Sequence, residues 1–95
     1  MNQVTIPLDL VIESMNDISW SLLDLIKNKP GLNFFEIRKE MNKSQEKCYK
    51  ELSRLEGGVL IKSNRHVLHQ RVINYQITEY GQIALERYKK SILDI

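Results

Sequence analysis

The segment NKSQEKCYKELSRLEGGVLIKSNR, residues 42–65, runs from a helix cap through leucines at helical spacing to a Gly-Gly break, then into an apolar run that ends in bases. Ser44 can accept a hydrogen bond from a free backbone N–H of the first turn and so start a helix. With Cys48 at 0° and about 100° per residue, Leu52 falls near 40° and Leu55 near −20°, which makes one buried stripe. Glu46, Lys47, Lys50, Ser53 and Arg54 then lie on the other side, with Tyr49 at the border. Gly57-Gly58 ends the helix, and VLIK (59–62) follows as a β-rich run.

Outward from this segment the pattern is helical on the N-terminal side. Asn33 followed by Glu36 forms a capping box for a short helix that buries Ile37 and Met41. KPG (29–31) breaks the chain before it. Ile18, Leu22, Leu25 and Ile26 mark another amphipathic stripe, and Leu8, Val11, Ile12 and Met15 mark one more. The two stripes are nearly in phase, so MND (15–17) leaves open whether residues 8–28 form one helix or two. Trp20 and Leu23 lie away from the stripe that includes Leu22, and a helix apolar on two sides packs between two neighbours.

On the C-terminal side, RVINYQIT (71–78) alternates Ile73, Tyr75 and Ile77 against Val72, Asn74 and Gln76, the mark of a half-buried strand. With VLIK it predicts a hairpin whose longer tip lies around His66–Gln70. Thr78 caps a final helix with a broad apolar arc of Tyr80, Ala84, Leu85, Tyr88, Ile92 and Ile95. The predicted order is helix, helix, helix, β-hairpin, helix: mainly α with a β-hairpin (α+β).

The stretch GLNFFEIRKEMNKSQEKCYKELSRLEGGVLIKSNR, continued by INYQITEYGQIAL, resembles the winged helix-turn-helix domains of MarR-, PadR- and ArsR-like transcriptional regulators. Ser44, Leu52, Leu55, Gly58, VLI and YQITEYG carry the resemblance, which covers roughly residues 18–90. It implies a single domain over 1–95: an N-terminal helical, dimerising segment (1–17), a winged-helix core with a two- to three-stranded wing (18–78), and a C-terminal dimerisation helix (79–95). Gly57-Gly58-Val59 departs from the usual x-x-Gly-Leu, which predicts a shift of one residue where the strand starts. The cysteine cluster of metal-sensing ArsR-like proteins is absent and no ligand-binding domain is appended, so neither metal, cofactor nor small-molecule ligand is expected.

Composition fits this class. The chain has 95 residues, 42% of them hydrophobic, and one cysteine, which excludes an intrachain disulfide or a cysteine-based zinc site. No apolar run approaches the ~20 residues of a membrane helix, so a cytoplasmic, nucleoid-associated protein is expected. Net charge is only +2, but residues 1–26 hold four acids and no base, and residues 27–71 hold eleven bases against five acids. A basic block between acidic and neutral ends suggests one positive face for a polyanion, although solvated surfaces also carry such clusters.

The expected DNA contacts follow. On the recognition helix they are Ser44, Gln45, Lys47, Tyr49, Lys50, Ser53 and Arg54, which can reach base edges and phosphates in a major groove. On the wing they are Arg65, His66, His69 and Arg71, a cationic tip suited to a narrow minor groove. Glu46 opposes phosphate unless it accepts from a cytosine amino group. Arg38 and Lys39 either touch phosphate or form a solvated face. The two histidines make a weak metal site, and Cys48 reads as a small core residue rather than a redox switch. No nucleophile–base pair or phosphate loop points to an enzyme. A homodimer is expected through Leu8, Val11, Ile12, Trp20, Leu23, Leu85, Tyr88 and Ile92. The partners are then double-stranded DNA and a second copy of the chain. A plasmid or phage adaptor for replication or segregation would use the same contacts, and a protein–protein docking module would instead expose apolar residues on the helix face.

Overall fold

A computed structural model describes residues 8–65 and 73–93. Its elements are α1 (Leu8–Ser14), α2 (Asp17–Asn28), α3 (Phe34–Met41), α4 (Gln45–Gly57), β1 (Ile61–Arg65), β2 (Ile73–Ile77) and α5 (Glu79–Leu93). Residues 8–28 form two helices, and Asn16 is the reason. Its backbone is extended, its side chain accepts from the Ser19 N–H at 2.9 Å, and its own N–H donates to Ser19 Oγ at 3.4 Å. This reciprocal cap starts α2 and stops α1, because a side chain that binds the first-turn amides holds its residue outside the helix.

α2 is the central helix. Leu22, Leu23 and Ile26 are fully buried, and Trp20 is 5% exposed. The Trp20 ring stacks on Tyr88 of α5, with centroids 4.1 Å apart and planes 10° from parallel. The second apolar face of α2 is therefore covered by α5 within one protomer, which corrects the expectation that Trp20 and Leu23 require a partner subunit. The acids of the N-terminal third meet bases of α5: Arg87 lies 3.3 Å from Asp9 and Lys89 lies 2.7 Å from Asp24. These pairs are exposed and contribute at most about 1 kcal/mol each. They nevertheless neutralise charge locally, between α5 and the helices α1 and α2.

Asn33 caps α3 through the reciprocal bond with Glu36. At the other end Asn42 adopts the left-handed conformation (φ 54°) and donates its N–H to the Arg38 carbonyl at 3.0 Å. Asparagine tolerates this region better than most residues, which allows the tight turn from α3 into α4. Ile37 is fully buried and Met41 half-buried.

The passage from α4 into the hairpin is displaced relative to the VLIK run, in the sense the Gly57-Gly58-Val59 departure predicts. β1 begins at Ile61 rather than Val59, because the helix absorbs Gly57 and ends with Gly58 as its cap (φ −84°). Val59 takes the left-handed position (φ 61°). The Leu60 N–H donates to the Leu55 carbonyl at 2.9 Å and the Val59 N–H to Glu56 at 3.0 Å, the paired bonds of a Schellman ending. A β-branched residue thus stands where glycine is favoured. Ending one residue later brings both Leu60 and Ile61 to 2% exposure, so burial outweighs the local strain.

β1 and β2 pair antiparallel, Ile61 opposite Ile77, Ser63 opposite Tyr75 and Arg65 opposite Ile73. The segment 31–33 lies along the outer edge of β2, with Gly31 N–H donating to Tyr75 O (3.1 Å), Tyr75 N–H to Leu32 O (3.0 Å) and a bridge between Asn33 and Asn74. Thr78 locks the hairpin to α5. Its hydroxyl accepts from the Gly81 N–H at 3.0 Å and donates to the Val59 carbonyl at 2.7 Å, while its N–H donates to Leu60 O at 3.0 Å. At Gly81 the helix passes so close to the Leu60 carbonyl that no side chain fits.

Candidate nucleic-acid interface

α4 has one buried and one open side. Cys48, Leu52 and Leu55 are 3%, 2% and 0% exposed, and they pack toward α2, α3 and β1. Ser44, Gln45, Glu46, Lys47, Tyr49, Lys50, Ser53 and Arg54 are exposed. The helix forms locally because Ser44 Oγ accepts from the Lys47 N–H at 3.2 Å, which leaves the first turn pointing outward with its amides and side chains near solvent. Among the described residues, no ion pair engages Arg38, Lys39, Lys43, Lys47 or Lys50. Glu36, Glu40 and Glu46 share this surface, so residues 34–50 hold five bases against three acids, a small excess of positive charge.

Arg54 stands apart from that group. Its Nη1 lies 3.9 Å from Glu51 Oε2, and it lines a cavity of about 360 Å³ with Leu10, Val11, Ser14 and Met15 at the α1 side. A second groove of about 170 Å³ separates α4 from the hairpin and is lined by Tyr49, Ser53, Glu56, Ser63 and Tyr75. Burial pushes the Tyr75 phenol above its ordinary value, helped by Glu56 and Tyr49, so its hydroxyl stays a neutral donor and acceptor between helix and wing. Burial likewise raises the Cys48 thiol, against the opposing pull of Arg38 and Lys43. A thiol held protonated in the core is a poor nucleophile.

Arg65 closes β1 opposite Ile73, and its side chain lies outside the described part, as do His66, His69 and Arg71. Of the residues assigned to a dimer contact, Val11, Trp20, Leu23 and Leu85 are buried within the protomer. Leu8, Ile12 and Tyr88 are half-buried, and the Ile92 side chain is not described. Among the described residues, the apolar ones left open near these elements are Leu10 (56%) and Ile83 (45%).

Sequence reasoning missed Glu51. It is 6% exposed and accepts from Ser19 Oγ at 2.8 Å and Asn16 Nδ2 at 3.3 Å. Its position near −60° on the helical wheel, next to Leu55, was the available signal.

A buried-stripe helix after a tight turn, followed by a hairpin tied back to a C-terminal helix, is the winged helix-turn-helix fold. Solved structures with this fold are MarR-family transcriptional regulators. PcaV from Streptomyces coelicolor, in complex with its natural ligand, superposes with a TM-score of 0.79 at 18% identity, covering 92% of this chain and 63% of PcaV. A variant of S. aureus MepR bound to an oligodeoxyribonucleotide gives 0.78 at 22% identity over 90% and 62%. Streptococcus pneumoniae FabT in complex with DNA gives 0.73 at 19% identity over 86% and 59%. The chain thus spans about six-tenths of the length of these regulators. No protein-family model and no curated protein matches the sequence. Among the described residues, no group of three or more His, Cys, Asp or Glu could hold a metal ion, and no helix is long and apolar enough to cross a membrane.

Proposed function

We propose that the protein binds double-stranded DNA sequence-specifically as a small homodimeric transcriptional regulator acting in the cytoplasm on the nucleoid. The observation that carries this reading is the open side of α4, where Lys47 and Lys50 have no ion-pair partner among the described residues, on a helix whose opposite side is buried. α4 enters the major groove, where Lys50 and Lys47 approach base edges or phosphates and Ser44, Gln45, Tyr49 and Ser53 supply neutral contacts. The hairpin, with Arg65 at the end of β1, follows the flanking backbone or minor groove. The complexes of FabT with DNA and of a MepR variant with an oligodeoxyribonucleotide support the same mode of use.

The dimer is built from the N-terminal segment and α5. Since most of the interior-facing residues there are already covered, the contact rests on their outer edges, where Leu10 and Ile83 are open and Leu8, Ile12 and Tyr88 partly so. Two copies then place their recognition helices in successive major grooves of an inverted repeat. Selection of bound sequences from a random duplex pool tests the proposal, followed by isotherms on selected and scrambled duplex at several salt concentrations. Enrichment of a symmetric motif is expected. Retention of no duplex at low salt would turn the interpretation toward a protein-docking module, and sedimentation as a monomer at ~100 µM would remove the dimer.

A further inference from the structure

We infer that Glu51 is a positioning residue for DNA recognition, which sets the rotation of α4 on α2 through the Asn16–Ser19 cap. This rests on the proposed DNA-binding role of α4 and names a residue that serves it without touching DNA. Glu51 sits on the recognition helix itself, yet it is 6% exposed and turned inward. Its two carboxylate oxygens are divided between two donors of one cap: Oε2 takes the Ser19 hydroxyl at 2.8 Å and Oε1 takes Asn16 Nδ2 at 3.3 Å. Ser19 is fully buried, and Asn16 Oδ1 is held in turn by the Ser19 N–H at 2.9 Å.

Apolar contacts from Leu52 and Leu55 fix how deeply α4 sits, but they fix its rotation and axial slide only loosely, because such contacts are non-directional. A two-point hydrogen bond is directional, with narrow limits on distance and angle. The bond pair lies midway along α4, with Lys47 and Lys50 one turn or less before it and Arg54 one turn after. Arg54 Nη1 reaches the same carboxylate at 3.9 Å. A few degrees of rotation about this anchor therefore moves every outward side chain relative to a groove.

Positioning predicts a loss of discrimination rather than of general affinity. Phosphate attraction depends on the number of cations, while base readout depends on their placement. Ser19→Ala removes the short bond at a fully buried residue that no duplex can touch. It should reduce the preference for selected over scrambled duplex about tenfold and leave scrambled-duplex affinity and salt slope nearly unchanged. Glu51→Gln keeps an acceptor for the Ser19 hydroxyl and should retain most of the preference. Ser19→Ala combined with Glu51→Ala should be no worse than the more affected single variant.

Amide spectra of the free protein give a second measurement, which also covers any variant too unstable for binding work. Ser19→Ala, a substitution on α2, should shift the amides of Lys47, Lys50 and Ser53 on α4 as well as those next to residue 19. Shifts confined to α2 and to Glu51 itself would overturn the inference. So would a Ser19→Ala protein with unchanged preference, or a Glu51→Gln protein that merely binds all duplexes more tightly, as expected if the charge only repels phosphate. Failure of the parent protein to bind any duplex refutes the proposed function instead, and the amide shifts then still decide the coupling.

Discussion

Gly81 and Gly57 both lie in helices, and alanine in their place should have opposite effects. In an unobstructed helix, alanine is favoured over glycine by about 0.5–1 kcal/mol, chiefly because the unfolded glycine has more freedom to lose. Nothing lies within 4 Å of a Cβ added at Gly57, so Gly57→Ala should stabilise by about that amount. A Cβ at Gly81 would run into the Leu60 carbonyl oxygen and stand 2.8 Å from Ile77 Cγ1. The same carbonyl accepts the Thr78 N–H at 3.0 Å, so α5 cannot withdraw without loosening its own cap. Two weakened hydrogen bonds at about 1 kcal/mol each, with about 1–3 kcal/mol of overpacking, exceed the helix gain. The net cost for Gly81→Ala is about 2–4 kcal/mol. Urea unfolding followed by circular dichroism should show a midpoint lower by on the order of 2 M for Gly81→Ala and slightly raised for Gly57→Ala. A Gly81→Ala midpoint at or above that of the parent would refute the close approach between α5 and the α4–β1 link.

Val59→Gly should stabilise by about 1 kcal/mol in the same assay, because it relieves a left-handed β-branched residue at an exposed position; an unchanged or lower midpoint contradicts this. Cys48 has a thiol value raised by burial above an ordinary 9.0, so the folded state holds its proton more tightly than the unfolded state and stability should fall as pH rises beyond about 9. Cys48→Ala should reduce that alkaline loss, cost roughly 1 kcal/mol at neutral pH and leave DNA affinity unchanged under mild oxidant, as read from melts and isotherms across pH. Lys50→Ala should cost about 1–3 kcal/mol on the selected duplex and relax preference at one position per half-site. Arg65→Ala should weaken all duplexes alike and reduce the salt slope by about one unit per protomer. Unchanged isotherms for both substitutions would leave α4 and the hairpin as solvated surface.

The parts of the fold that were legible in the sequence are those whose cause is local. Asn33 with Glu36, Ser44 and Thr78 each cap a helix through bonds to residues within three positions, and the Cys48, Leu52, Leu55 stripe needs only helical periodicity. What covers an apolar face is a long-range fact. The pattern around Trp20 and Leu23 showed that a second neighbour exists, but not that α5 is that neighbour. The Gly57-Gly58 pair offered two places to end a helix, and burial of Leu60 and Ile61 chose between them. For the candidate site, the outward residues of α4 could be read from the wheel. Glu51 could not be assigned a role, because its donors lie 32 and 35 residues away.

The stack of Trp20 on Tyr88 also makes the chain its own optical instrument. Trp20 is the single tryptophan of the sequence, so indole emission comes from one place, the seam between α2 and α5. Trp20 is 5% exposed and its ring lies against Tyr88 of α5, so a bound duplex would meet little of it. A change in emission when DNA is added would therefore report rearrangement of the helical scaffold rather than proximity of the nucleic acid. A constant emission during tight binding would mark a scaffold that accepts DNA as a rigid body.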